Sequence, residues 1–341
     1  MLYSFYHQHI ALSDIFFADA IACAANAMFI VMRKSIHTRR DIRIGFGLMT
    51  IGLFLVAFLP HTRTLLYAFY ILQVLGAITF YIPVNILYFK GVAEDARMRG
   101  MTLYWIVGIA TGVAAPLVGA LLYAHTSMMV FLIVPLLLTL CGVWMAQYVP
   151  EDIISYSRGD VFNYLKGLRV INALDGALHR VSGDAGFFVL MFASTVASYS
   201  SYLSCVSLVM AAVAWIVATK SDKTNNRMKY LWPTALLAGA ATMGLSLAHS
   251  FITFLILSVV ARASLVIAEP LRSNVTQDSA VAHAHIWISR EFYINIGRTL
   301  LQIIAGILLV IGSPTAALIL FGALHIAFPF LVHRKKIYKT V

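Results

Sequence analysis

The residues able to do chemistry in this chain are few, and most lie inside strongly apolar stretches. Asp175, His179, Arg180 and Asp184 interrupt residues 170–193, Asp19 sits within 10–32, and Arg262 within 250–269. Glu291, Asn295, Arg298 and Gln302 fall in 291–311. An ionisable side chain at the centre of a membrane span costs roughly 2.5–3.5 kcal/mol on insertion scales unless paired or wetted, so each is a functional candidate by default. Asp175 and His179 are four residues apart and share a helix face. An imidazole beside a carboxylate changes charge near neutral pH, which a proton relay needs. The plainer reading, for this pair and for Arg180–Asp184, is a structural salt bridge near the headgroups. Glu291, Asn295, Arg298 and Gln302 recur at spacings of 4, 3 and 4, one polar stripe on an otherwise apolar helix. Such a stripe must face the protein interior or an aqueous cavity. Arg262 suits an anionic substrate group or a buried carboxylate partner. Asn85, with Gln73, Tyr81 and Tyr88, marks an uncharged cavity wall on a segment kinked by Pro83.

These residues are positioned by about eleven apolar runs of spanning length: 10–32, 44–60, 65–89, 101–123, 128–149, 170–193, 200–218, 230–247, 250–269, 291–311 and 315–332. The chain is 61% apolar and 11% charged, with a mean hydropathy of +0.85, which excludes a soluble globular protein. Of the 25 Lys and Arg residues, 21 lie in every second connection between the runs, and the other connections hold only Arg63. That alternation is the positive-inside rule, and it makes the basic loops and the C-terminus cytoplasmic. It also sends 170–193 into the membrane despite its charges, because the basic loops on either side of 185–218 must be separated by an even number of crossings. The fold class is therefore an all-α polytopic membrane protein. The net charge of +11 is spread over loops that face lipid headgroups, so membrane lipids, and not nucleic acid, are the expected partners.

Nothing in the sequence calls for a cofactor or a metal. Cys23, Cys141 and Cys205 lie in apolar runs without a Cys-x-x-Cys spacing. His283 and His285 form a His-x-His with no further ligands nearby, and there is no Walker-type nucleotide loop. Glu94-Asp95 and Glu151-Asp152 read as solvated loop charges, which ranks an integral membrane enzyme last.

The longest polar stretch, 150–169, divides the chain into an N-terminal bundle of about five helices (1–149) and a C-terminal bundle of six (170–341). A degraded repeat relates them. Residues 218–227 keep Asp222 and Arg227, whereas 31–40 keep Arg39 and Arg40 but have Ser35 where the acid belongs. With these loops, the run Gly108-Ile-Ala-Thr-Gly112-Val-Ala-Ala-Pro116-Leu-Val-Gly119, and the Arg-Glu-Phe-Tyr-Ile-Asn-Ile-Gly-Arg at 290–298, the chain resembles a major facilitator superfamily transporter. The resemblance runs over essentially the whole length. It implies two six-helix halves, a gating-loop role for Arg39, Arg40, Asp222 and Arg227, and close helix packing by Gly108, Gly112, Pro116 and Gly119. It also implies that the first run here corresponds to the family's second helix, with residues 1–9 external.

The expected function is secondary active transport of a small solute by alternating access, with protons as the coupling ion, in the cell (inner) membrane of a prokaryote. The substrate or proton pathway would comprise Asp19, Asn85, Asp175, His179, Arg262, Glu291, Asn295, Arg298 and Gln302. The alternative is a degenerate, non-transporting scaffold or sensor, favoured by the missing family helix and the eroded loop at 31–40.

Overall fold

The computed structural model describes residues 5–6, 10–90, 113–116, 118–119, 121–122, 130–220, 227–279 and 284–335. The helices are α1 (Leu12–Met32), α2 (Thr38–Phe58), α3 (Arg63–Lys90), α4 (Val130–Tyr148), the short α5 (Arg158–Asn163) and α6 (Arg169–Asp184). A 3-10 segment, Ala185–Met191, follows α6. Then come α7 (Val196–Lys220), α8 (Arg227–Gly244), α9 (Phe251–Ser279), α10 (Ala284–Val310) and α11 (Pro314–Arg334). Ten of the eleven expected runs thus carry helix, and most of 101–123 lies outside the described residues. Among the described residues, seven helices are long and apolar enough to cross a membrane, namely α1, α2, α3, α7, α9, α10 and α11.

The polarity is that of a membrane protein. Leu136, Leu137, Leu140, Val143 and Trp144 of α4 and Ile303, Ile307 and Val310 of α10 are exposed, whereas Asn295 and Gln302 of α10 are buried. Apolar side chains gain nothing by leaving lipid, so the polar groups are the ones turned inward. The turn between α10 and α11 shows how tightly the short connections close. Gly312 has φ +77, and Ser313 N–H reaches Leu308 O at 2.9 Å. This is a left-handed helix stop that only glycine adopts without cost. Pro314 then opens α11 at a position needing no N–H donor.

By contacts the chain forms two compact units. The first comprises Met1–Gly91, Leu122–Gly176 and Ala282–Ile307; the second comprises Val92–Leu121, Ala177–Val281 and Leu308–Val341. Both units are discontinuous in sequence. Within the first unit, Gly45 and Gly76 bring α2 and α3 together, since a Cβ on Gly45 would stand 2.7 Å from Gly76 O. Gly176 and Gly297 do the same for α6 and α10, where added Cβ atoms would collide with the backbones of Ile294 and Ala173. Within the second unit, Gly239 lies against Gly322 of α11, and a Cβ there would be 2.7 Å from Gly322 O.

A Cβ on Gly119 meets nothing within 4 Å among the described residues. Pro116 is half-buried, and Gly108 and Gly112 lie outside the described residues.

Candidate functional site

In the first unit the polar stripe of α10 turns inward. Asn295 is 0% exposed, Gln302 1% and Glu291 7%, while Arg298 is half-buried. Asn295 Nδ2 donates to Glu291 O at 2.7 Å, and its Oδ1 accepts from Asn26 Nδ2 of α1 at 3.4 Å. Asn26 Nδ2 is also 3.1 Å from Val74 O of α3, so one buried amide links three helices. Asn85 is buried, and its Oδ1 has no hydrogen-bond partner among the described residues. A buried polar atom without a partner is costly and points to a site that water or a solute completes. Tyr81, on the same helix as Asn85, lies within electrostatic reach of Arg298. Gln73, expected beside them as cavity wall, instead donates to Met49 O at 2.7 Å and ties α2 to α3.

The charged stretch of α6 finds its partner on α10. Arg290 Nη2 donates to Asp175 Oδ2 at 2.9 Å, and Arg290 Nη1 lies 3.6 Å from Glu291 Oε1. The Arg290 guanidinium also covers the Trp287 ring, 5.5 Å from its centroid. The backbone approach at Gly176 and Gly297 makes this possible, because it brings α6 and α10 close enough for the pair to meet. Arg290 is only 8% exposed. Counting it with a cytoplasmic loop missed this role, and the available sequence signal was its place one residue before the stripe. His179 is half-buried one turn beyond Asp175. Asp19 is buried on α1, with Cys23 Sγ 3.9 Å from its Oδ1. Asp14, in the first turn of the same helix, is buried too and pairs with Arg63 at 3.1 Å.

The first basic loop is built round a carboxylate that the sequence pattern overlooked. Asp41 is fully buried, pairs with Arg33, accepts from His37 N–H at 2.9 Å and has Arg40 at 3.6 Å. Ser35, the position compared with Asp222, is instead in a strand: β1 (Ser35–His37) pairs antiparallel with β2 (Ile153–Ser155) of the central loop. Arg39 fastens the same junction, donating through Nε to Val149 O at 2.9 Å, with Glu151 at 3.7 Å. Tyr156 completes it, donating to Ile30 O at 2.9 Å. Burial pushes the Tyr156 phenol up to about 12, against the pull of Arg33, so it stays a donor at any physiological pH. Arg33, Asp41, Thr79, Pro83 and Tyr156 line a small cleft with about 10 Å³ of room, enough for a water molecule at most. In the repeat-related loop, Asp222 lies outside the described residues, and Arg227 begins α8.

In the second unit, Arg262 is half-buried on α9, and Tyr202 of α7 lies within reach of its charge. Glu269 is 6% exposed and faces Arg272 at 4.0 Å. Arg272 is 3% exposed, so α9 carries buried charge beyond the end of the apolar run at 250–269. Among the described residues no group of three or more His, Cys, Asp or Glu could hold a metal ion.

Inverted polarity and a buried polar stripe define a helical membrane protein, and the arrangement of its helices is the major facilitator fold. The chain superposes on the human organic anion transporter MFSD10 (TETRAN) with a TM-score of 0.63 at 13% identity, covering 94% of this chain and 82% of that one. It superposes on a POT family transporter in complex with 5-aminolevulinic acid with a TM-score of 0.66 at 13% identity, covering 96% and 88%. No family model and no curated protein matches the sequence.

Proposed function

We propose that the chain is a secondary active transporter that moves a small solute by alternating access, coupled to protons, in the cell (inner) membrane of a prokaryote. The fold is one used for secondary transport, and the observation that carries the reading is the buried stripe Glu291, Asn295, Arg298 and Gln302. A membrane protein with only a scaffolding role has no need to keep such costly groups in a span. The well-formed Arg33–Asp41 pair in the first loop weakens the scaffold alternative, since the loop is not eroded where it matters structurally.

Asp175 is the first choice for the proton and Asp19 the second. A proton on Asp175 would cancel the charge that holds Arg290 and free the α6–α10 contact to change. His179, one turn away, would pass the proton on. Arg298 and Asn85 would contact solute, and Arg39, Arg40, Asp222 and Arg227 would act in the loops that gate the cytoplasmic side.

The test is uptake and efflux of a solute panel in proteoliposomes under an imposed pH gradient. Asp175→Asn should abolish uphill, pH-driven transport and leave downhill exchange measurable, whereas Arg298→Ala should weaken solute binding without uncoupling. Full pH-driven accumulation in Asp175→Asn, His179→Gln and Asp19→Asn would remove the proposed coupling site.

A further inference from the structure

The second unit holds positive charge near the middle of an apolar helix with no carboxylate beside it among the described residues. Arg262 is the central residue of the apolar window Phe251–Ser273 on α9. Among the described residues it has no acidic side chain within ion-pair distance, unlike Arg272, which has Glu269 at 4.0 Å. Three further elements of the same unit converge on it. Tyr202 of α7 is 2% exposed, and its hydroxyl donates to Ser258 Oγ at 3.0 Å, one turn from Arg262. Gly186 of the 3-10 segment stands where a Cβ would be 3.5 Å from Tyr202 Oη and 3.7 Å from Arg262 Nη2. The glycine therefore leaves the space in front of both groups without a side chain. His325 of α11 is 1% exposed, its Nε2 has no hydrogen-bond partner among the described residues, and it feels the charges of both Arg272 and Arg262.

An uncompensated arginine is costly at this depth, and a buried imidazole nitrogen without a partner adds to that cost. An anionic group beside Arg262 and Tyr202 would remove the first penalty and lie on the side of the unit where His325 feels the same charge. It would accept charge-assisted hydrogen bonds from the guanidinium and, after a rotation of its hydroxyl, one from Tyr202. We infer that Arg262, Tyr202, His325 and the gap at Gly186 form a binding site for one anionic group of a small solute, of the carboxylate, phosphate or sulfonate class. The inference rests on the transporter reading for its biological sense and assigns that reading a substrate class. It does not need transport in order to be tested.

Purified full-length protein in neutral detergent is titrated with succinate, benzoate and inorganic phosphate up to about 10 mM, with succinamide and benzamide as uncharged controls. Thermal unfolding is the readout, because a ligand that binds only the folded state raises the transition. At least one anion, and neither amide, should raise it. Arg262→Gln should weaken that effect at least about tenfold, the loss expected for a charge-assisted contact. Arg262→Gln breaks no ion pair among the described residues, so it should fold. Gly186→Val should block the same anion by filling the gap while leaving every charge in place, and it guards against a folding artefact in the first variant. An absence of stabilisation by all three anions, or equal stabilisation of wild type and both variants, overturns the site. Transport of uncharged solutes without anion binding would overturn this inference and leave the transporter reading standing. Anion binding with no transport would do the reverse.

Discussion

The Asp175–Arg290 pair makes a sharp prediction about stability. Its side chains are 7% and 10% exposed and its N–O distance is 2.9 Å, so both charges have largely left solvent. Unit charges about 4 Å apart at an effective dielectric near 20 attract by about 4 kcal/mol. Removing one partner of a buried pair costs about 3–5 kcal/mol, because the other is left uncompensated, while replacing both by apolar residues is neutral or stabilising. The two single variants should differ. In Asp175→Asn, Arg290 keeps Glu291 at 3.6 Å and the Trp287 ring face at 5.5 Å, which places the loss at the lower end, about 3 kcal/mol. Arg290→Met takes the cation away from a buried carboxylate and should fall at the upper end, about 5 kcal/mol. Asp175→Leu/Arg290→Met should lie near wild type. Unfolding in mixed micelles, followed by tryptophan fluorescence, gives the three free energies. Arg290→Met within about 1 kcal/mol of wild type, or a double variant as unstable as the summed singles, would show that the pair is not buried as described.

Gly297→Leu should sharply reduce folded protein in the membrane, since α6 and α10 are in backbone contact there and overpacking alone costs about 1–3 kcal/mol. Gly119→Leu should change stability by less than about 0.5 kcal/mol, and equal losses by detergent size-exclusion chromatography would refute the contrast. Reporter fusions at Val341 and near Tyr3 should read cytoplasmic and external respectively; the same side for both would mean that the number of crossings is even. At the start of α5, Asp160 accepts from the Ser157 backbone N–H and then from its hydroxyl, which together hold its carboxyl below the ordinary value of 3.8. A depressed carboxyl stabilises the fold above its unfolded value and loses that contribution as pH falls through its folded value. Protection of the 157–163 amides, measured against their intrinsic exchange rates, should therefore be high at neutral pH and fall below about pH 4, and in Asp160→Asn it should be low throughout. Identical protection in the variant at pH 7 would show that the capping box does not hold the turn.

Much of the molecule was legible from its residues in order. Spanning length and the inward stripe of α10 depend on hydropathy and helical period, both of which are one-dimensional quantities. Partnership is different. Arg290 looked like one more cytoplasmic base, yet its carboxylate is 115 residues away in sequence, and the two meet only because Gly176 and Gly297 let two backbones touch. The acid of the first basic loop was sought at Ser35, but β1–β2 pairing takes that position, and Asp41 receives the loop's donors instead. Arg262 and His325 are single polar letters on separate helices, and nothing local shows that they share one interior. The sequence by itself determined which segments are apolar enough to form the long helices of a membrane protein, because hydropathy and helical period are properties of each segment taken separately. Only the tertiary structure decided which buried charges find partners and which wait for a ligand, because that depends on how far each helix is rotated and how closely it meets its neighbours.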